Sequence, residues 1–382
     1  MVLQRVTPRG YAVAATGLAS GVAGWLLGYP ELAVVSAGCL AALVVAVCWL
    51  LAGLSLRITR EIAPTKVPRG DPAIATVRVV NTGRRAARAL TAVDRCGAAA
   101  VDVALPGLAR GASRFVSYRL PTARRGEIGV GPLQLRAGDP LGLFGRVREY
   151  GCVVSLLVRP RTAPLPILPS GRVASLEGPT SETAPSGTVT FHALREYVVG
   201  DDLRHVHWRT TARTGTLMVR QLVDSSLPVT TVVVDCRPAS YAAPAEDFDI
   251  AVDAAATVAA GMATAGFPVT LLTSDGGRFQ TRSARGAGAL LDWLARLQAS
   301  ASGELETALA AARRLPSAAT LTVVTGTACV LEAERLVVSA RRFDRVTVIR
   351  AGTQRGGPVA LPVPVVDATS AEDVVSAWRW AR

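Results

Sequence analysis

Lysine is almost missing from this chain. Lys66 is the only one in 382 residues, so the 42 basic residues are otherwise arginine. It stands in APTKVPRG, with no glycine-rich loop to cradle a phosphate, which excludes P-loop nucleotide hydrolysis. Histidine and methionine occur three times each, and aromatic residues make up 5% of the chain. GxSxG, HExxH and a dinucleotide fingerprint after a strand are all absent, so the common hydrolase, zinc-protease and dehydrogenase chemistries have no sequence support. The six cysteines never take CxxC spacing. Cys39 and Cys48 lie in an apolar run, and Cys96, Cys152, Cys236 and Cys329 are scattered singly, the pattern of reduced thiols rather than of a disulfide or zinc framework. The formal net charge of +13 is not organised as an aromatic-interleaved basic stripe, so no nucleic-acid partner is expected and anionic lipid is the simpler counterpart.

Apolar residues, by contrast, are abundant, at 50% with a mean hydropathy of +0.33. Tyr11 to Tyr29 and Leu32 to Leu56 are two uncharged runs separated by Pro30-Glu31. Each is close to the ~20 residues a helix needs to cross a bilayer, so a transmembrane helical hairpin is expected over 1–56. A cleaved signal peptide would account for the first run but not for the second. Arg5 and Arg9 precede the hairpin, Arg57, Arg60, Lys66 and Arg69 follow it, and Glu31 marks its turn. The positive-inside rule then puts both ends, and the soluble domains, on the cytoplasmic side of the cell membrane. Gly17 and Gly21 form a small-xxx-small pair, either a helix-packing face or a chance product of an Ala/Gly-rich segment.

Beyond the hairpin, residues 57–164 run in short alternating segments such as ATVRVVNTG, SRFVSYRLP and CVVSLLVRP, a pattern that predicts an antiparallel β-sandwich of immunoglobulin or fibronectin type. Asp139-Pro140 with Gly142 reads as a turn, and Phe144 as a plug for the sandwich end or a domain interface. A Pro/Ser/Gly/Thr-rich linker is expected over 165–188. From 189 to 382 strands alternate with helices. LPVTTVVVD, FPVTLLTSD, ATLTVVTG and RVTVIRAG read as strands; Glu246 to Ala265, Gly286 to Gln298, Glu304 to Arg314, Val330 to Arg342 and Ala371 to Trp380 read as helices. A parallel, doubly wound α/β sheet follows.

The densest chemistry is in Leu194 to Arg220, LREYVVGDDLRHVHWRTTARTGTLMVR. It sets Arg195, Arg204, Arg209, Arg213 and Arg220 against Glu196, Asp201 and Asp202, with Tyr197, Gly200, Trp208 and Gly215 supplying aromatic anchors and turns. Guanidinium forks match carboxylates, so this segment either knits an ion-pair clamp or offers a docking surface. Asp202, Trp208 and Arg213 are expected to be structural, and Arg204 and Arg209 exposed. Together with Arg124-Arg125-Gly126 and Asp139-Pro140-Leu141-Gly142-Leu143-Phe144 upstream, it resembles the signature of the domain of unknown function 58 family. That resemblance implies a von Willebrand factor A-like α/β domain, a MoxR-type AAA+ ATPase and a transglutaminase-like membrane protein as partners, and no established activity.

Metal-binding domains of the von Willebrand factor A type end their first strand in DxSxS. This chain has Asp235-Cys236-Arg237-Pro238-Ala239-Ser240, with Arg237 and Ala239 at the hydroxyl positions and Ser240 one place out of register. A later strand ends in Val324-Thr325-Gly326 where such domains carry an aspartate. Hard cations need several oxygen ligands, so no Mg²⁺ or Ca²⁺ is expected, and Asp235 is expected to pair with Arg237 or another arginine. His205 and His207 with Asp201 and Asp202 form the one alternative metal or hydrolase constellation, opposed by the surrounding arginines. The expected function is therefore a non-enzymatic, membrane-anchored scaffold or adaptor with no catalytic residue, cofactor or metal.

Overall fold

The computed structural model describes residues 2–51, 55–166, 189–198, 206–224, 229–315, 318–329, 338 and 341–378. It divides into two compact units, residues Met1–Pro160 and Arg161–Arg382.

The first unit opens with a strand that hydropathy does not announce, β1 (Val2–Val6), followed at once by two helices, α1 (Pro8–Leu27) and α2 (Pro30–Leu51). Both helices are long and apolar enough to cross a membrane. A core helix would hide its large side chains, but here Leu18, Trp25, Leu26, Val34 and Leu40 are all exposed. The helices meet through small residues. A side chain at Gly17 would stand 2.8 Å from Cys39 Cβ and one at Gly21 2.8 Å from Ser36 Oγ, while Ser36 Oγ donates to the Gly17 carbonyl at 2.8 Å. The Gly17/Gly21 pair is thus a packing face.

After the helices come β2 (Leu56–Ala63), β3 (Lys66–Pro68), β4 (Ala73–Asn81), β5 (Leu90–Cys96), β6 (Ala99–Leu105), β7 (Ser113–Leu120), β8 (Gly126–Gly138), β9 (Phe144–Tyr150) and β10 (Val154–Arg159). β2, β4 and β7 form a three-stranded antiparallel sheet. A seven-stranded sheet runs β1-β9-β8-β10-β3, with β5 and β6 joined through β8. The sheets share their core: Leu56, Val77 and Val79 from one pack with Ala92, Val103, Leu133 and Leu135 from the other. Alternation along β4, buried at every second residue, is the period-two pattern that places one face inward. Across this core lies one ion pair, Arg60 Nη1 to Asp94 Oδ1 at 2.6 Å, whose second Nη donates to the Val130 and Cys152 carbonyls; the Tyr118 hydroxyl also donates to Asp94.

The expected second apolar run reaches Leu56, but Leu56 already begins β2, while the helix is described to Leu51. Because β1 pairs with β9 along Val2↔Arg148 to Val6↔Phe144, both ends of the helical pair return to the same β unit. Phe144 is half-buried at the start of β9. It pairs with Val6 in that ladder, and its N–H donates to Asp139 Oδ1 at 2.7 Å.

In the second unit, β11 (Val189–Glu196) and β12 (Met218–Asp224) pair as an antiparallel ribbon carrying α3 (Trp208–Thr214). A six-stranded sheet follows: β13 (Val229–Val234), β14 (Val269–Thr273), β15 (Arg278–Thr281), β16 (Ala318–Gly326), β17 (Arg345–Ala351) and β18 (Val365–Ala368). Its order is β15-β14-β13-β16-β17-β18. All pairings are parallel except β14 with β15, so the expected all-parallel sheet gains one antiparallel edge strand, made by a short hairpin whose turn uses Gly276 at φ 93°. Helices α4 (Pro244–Thr264), α5 (Ala287–Arg296), α6 (Leu305–Arg313) and α7 (Ala371–Trp378) accompany it; the helix expected over 330–342 lies largely outside the described residues. Alanine-rich α4 packs close to the sheet, with Ala251, Ala255 and Ala259 fully buried. Its Asp253, Thr257 and Gly261 stand four apart on one stripe. That stripe holds the segment after Pro160: Asp253 accepts from the Arg161 N–H at 2.8 Å, Thr257 from the Ala163 N–H, and Gly261 leaves room for Leu165.

Candidate functional site

In a doubly wound sheet the strand order reverses where two neighbouring connections leave in opposite directions, and the carboxyl ends of those strands open a crevice. Here the reversal lies between β13 and β16, and the residue immediately after β13 is Asp235, fully buried. Its carboxylate is saturated by donors. Arg237 Nε reaches Oδ1 at 2.9 Å and Nη2 reaches Oδ2 at 2.8 Å, while the Arg237 N–H donates to Oδ1 at 3.1 Å. Ser240 Oγ and Thr325 Oγ1 both donate to Oδ2, at 2.6 and 2.9 Å. Burial alone would raise this carboxyl's pKa; the hydrogen bonds from Arg237 and Ser240 outweigh it and hold the group below its usual range. Asp235 in turn pushes the Arg237 guanidinium up.

The pairing of Asp235 with Arg237 agrees with expectation, but two neighbours do not. Ser240, one place out of register, still reaches the carboxylate because residues Pro238–Ser240 wind into a 3₁₀ turn that brings it back. Thr325, passed over because the strand lacks an aspartate, is a direct partner. Gly326 explains that lack: a Cβ there would lie 2.0 Å from the Ser240 carbonyl oxygen and 2.6 Å from the Tyr241 ring. The turn that carries Arg237 occupies the space an acidic side chain at 326 would need. Beside this cluster Cys236 is buried, and burial first, then Asp275 and Asp235, push its thiol up to about 12, so it is an inert thiol rather than a nucleophile. Among the described residues no group of three or more His, Cys, Asp or Glu is arranged to hold a metal ion.

The described part of the arginine-rich signature lies on a two-stranded ribbon and a short helix. Arg195 pairs with Val219 and Leu194 with Arg220 across the β11–β12 ribbon, and Val206 bridges to Val219 from its other side. Glu196 is exposed and Tyr197 half-buried, its N–H donating to the Leu217 carbonyl. Gly200, Asp201, Asp202, Arg204 and His205 lie outside the described residues. His207 is the N-cap of α3, its Nδ1 accepting from the Thr210 N–H at 3.2 Å and lying 2.8 Å from Thr210 Oγ1. Gly215 closes the helix at φ 74°, the left-handed cap that glycine adopts without penalty. Trp208 and Arg213, expected to be structural, are exposed: Trp208 keeps 66% of its surface, and Arg209 and Arg213 make no ion pair with another described residue. A seven-residue helix presents at most one narrow face to its ribbon, and here the helix contact is made by polar Thr211, whose Oγ1 accepts from the Met218 N–H.

The upstream motifs are structural. Asp139 accepts from the Leu141 and Phe144 N–H groups, and the turn it builds presents the Gly142 and Leu143 carbonyls to Thr7, the N-cap of α1. Gly126 of the Arg124-Arg125-Gly126 run starts β8 at φ 134°, a conformation open to glycine.

These features define an α/β protein with a charge-saturated switch point, preceded by a mixed β unit and two apolar helices. Residues 193–374 match the family model described as Protein of unknown function DUF58, which supports the family that the motifs resemble. The chain matches no curated protein. Solved structures similar to segments of it include the protein designated ApaA from Bordetella pertussis (18% identity, 29% of this chain and 96% of that one, TM-score 0.20). They also include the alkylpurine DNA glycosylase AlkC of Pseudomonas fluorescens bound to DNA (16%, 37% and 41%, 0.21) and Cwp6 of Clostridium difficile (10%, 83% and 38%, 0.15). At such scores none of them bears on fold or function.

Proposed function

We propose that the chain is a membrane-anchored, non-enzymatic adaptor. In this reading the α1–α2 pair is the anchor and the first unit an immunoglobulin-like sandwich on the cytoplasmic side. The second unit is then a von Willebrand factor A-like domain in which the Arg237 guanidinium stands where related domains hold a cation. Strand order, the antiparallel edge strand and the position of Asp235 support that last assignment.

The observation that carries the adaptor reading is Trp208, an exposed indole beside the exposed Arg209 and Arg213 on a short helix capped at both ends; among the described residues neither arginine has an ion-pair partner. Tryptophan and arginine dominate the residues that anchor protein interfaces, and two exposed guanidiniums suit an acidic surface. A MoxR-type AAA+ ATPase is the partner that family resemblance suggests, with a transglutaminase-like membrane protein as a second. The hydrolase alternative on Asp201, Asp202, His205 and His207 is weakened because His207 Nδ1 already serves the helix cap. Crosslinking from position 208 in intact cells, followed by pull-down, tests the proposal: a crosslinked ATPase lost in Trp208→Ala and Arg209→Ala/Arg213→Ala supports it. Unchanged capture by both variants sinks it.

A further inference from the structure

The first unit contains a cleft of about 660 Å³ that no family motif lines. Arg84, Arg85 and Arg88 reach it from the loop after β4, Arg146 and Arg148 from β9, and Trp49 from the last turns of α2. Residues 146, 148 and 150 are two apart on one strand, so both β9 arginines and Tyr150 face the same side. Among the described residues no aspartate or glutamate lines the cleft, and none of the five arginines has a carboxylate partner. Five like charges around one cavity repel one another, and a protein keeps such an arrangement at a cost unless an anion offsets it.

Three further observations narrow the anion. On two side chains that line the cleft, Arg146 Nε and the Tyr150 hydroxyl are buried with no hydrogen-bond partner among the described residues beyond the adjacent Arg148 guanidinium. Burial pushes the Tyr150 phenol up, against the lowering pull of Arg148 and Arg146, which keeps it a donor. Planar guanidinium forks with a hydroxyl match phosphate oxygens better than a single carboxylate. The third observation is Trp49: its ring carries the Arg88 guanidinium 4.9 Å above its centroid at the end of an apolar, exposed helix, where a tryptophan marks the boundary between hydrocarbon and headgroups. Leu90, Leu135 and Ala137 supply an apolar wall beside the charges.

We propose that this cleft binds the phosphodiester headgroup of an anionic phospholipid, with the acyl chains lying along the exposed face of α2. The proposal rests on the membrane-anchor reading above. The phosphate engages Arg146, Arg148 and the Tyr150 hydroxyl, and the Arg84, Arg85 and Arg88 loop closes over it.

The test uses the full chain purified in detergent from its membranes, with native mass spectrometry for retained lipid. Wild type should carry a phosphatidylglycerol- or cardiolipin-type lipid, and Arg146→Gln/Arg148→Gln should retain at least ten-fold less. Arg84→Gln/Arg88→Gln alters only exposed side chains and covers the case in which the first pair fails to fold; it should also lose most of the lipid. Reconstitution into phosphatidylcholine nanodiscs with and without phosphatidylglycerol should give a melting temperature raised by the anionic lipid in wild type and not in the variants. Equal lipid retention by wild type and a folded variant overturns the proposal. So does protection by inorganic phosphate or glycerophosphoglycerol equal to that of the intact lipid, which would make the ligand a soluble phosphate. Carbonate extraction separates the two readings: a wild-type chain released from membranes overturns the anchor and the lipid site together, whereas a variant that stays in the membrane but loses lipid supports both.

Discussion

Arg237 lies fork to fork against Asp235, Nε on Oδ1 and Nη2 on Oδ2, and so brings the positive charge of its own loop to the switch point of the sheet. The carboxylate is fully buried and the guanidinium one-third exposed, so the two partners are not equivalent. Removing the arginine leaves a buried anion that still has Ser240 and Thr325. Removing the aspartate strands two buried hydroxyls and lets Arg237 swing to solvent.

Asp235→Ala should therefore cost about 3 kcal/mol, mostly from the orphaned Ser240 and Thr325 hydroxyls, and Arg237→Ala a comparable amount from the uncompensated carboxylate. Denaturant unfolding of the detergent-solubilised chain, followed by hydrogen exchange of the β13 and β16 amides, would measure both. Loss of less than about 1 kcal/mol in each would show that the cluster is not a stabilising element.

The same group sets a pH dependence. The folded pKa of Asp235 is depressed below its ordinary 3.8, so its contribution is present above that value and is lost as pH falls through the acid range towards the depressed one. Asp373, held down chiefly by the Thr369 hydroxyl and N–H at the start of α7, adds in the same direction. Melting temperature should fall below about pH 4 in wild type, and the fall should be shallower in Asp235→Asn. Parallel profiles would contradict the assignment.

Divalent cations should not bind at this switch point, because the Arg237 guanidinium and the turn through Ser240 fill it. Calorimetric titration of the full chain with Mg²⁺ or Mn²⁺ is expected to be flat. Micromolar binding abolished by Asp235→Ala would reverse the reading.

In the first unit, Asp94→Ala strands the nearly buried Arg60 and should cost about 3–5 kcal/mol. Tyr118→Phe removes one donor and leaves the pair intact, so about 1 kcal/mol is expected. The order of these two losses is the measurement; a Tyr118→Phe variant as damaged as Asp94→Ala would place the weight on the phenol instead.

Within the signature, Gly215→Ala forces a side chain into the left-handed cap and His207→Ala removes the other cap, each worth about 1 kcal/mol. Arg209→Ala and Arg213→Ala should leave the melting temperature unchanged. A drop of several degrees in either arginine variant would restore the clamp that the sequence allowed.

For orientation, reporter fusions at residue 57 and at the carboxyl terminus should both report cytosol, given Arg5, Arg9, Arg57 and Arg60 around the helical pair. An external signal from either would invert the proposed side.

What the sequence settles by itself is whatever depends on local periodicity and composition. The two apolar runs, the alternation of β4 and the α4 and α6 patterns are visible because burial follows a repeat of two or 3.6 residues along a single segment. Asp235 with Arg237 was legible too, since the partners are two residues apart. What the sequence leaves open is contact between distant segments. Thr325 meets Asp235 across 90 positions, Arg60 meets Asp94 between sheets, β1 joins β9, and Trp49 and Arg88 converge with Arg146 and Arg148 on one cleft. Nor could charge pattern decide that Trp208 and Arg213 face outward, because an arginine beside an aspartate reads the same whether the chain folds them together or apart. Register and strand order made those choices: they fix which side chains are desolvated together, and so which charges must be paired.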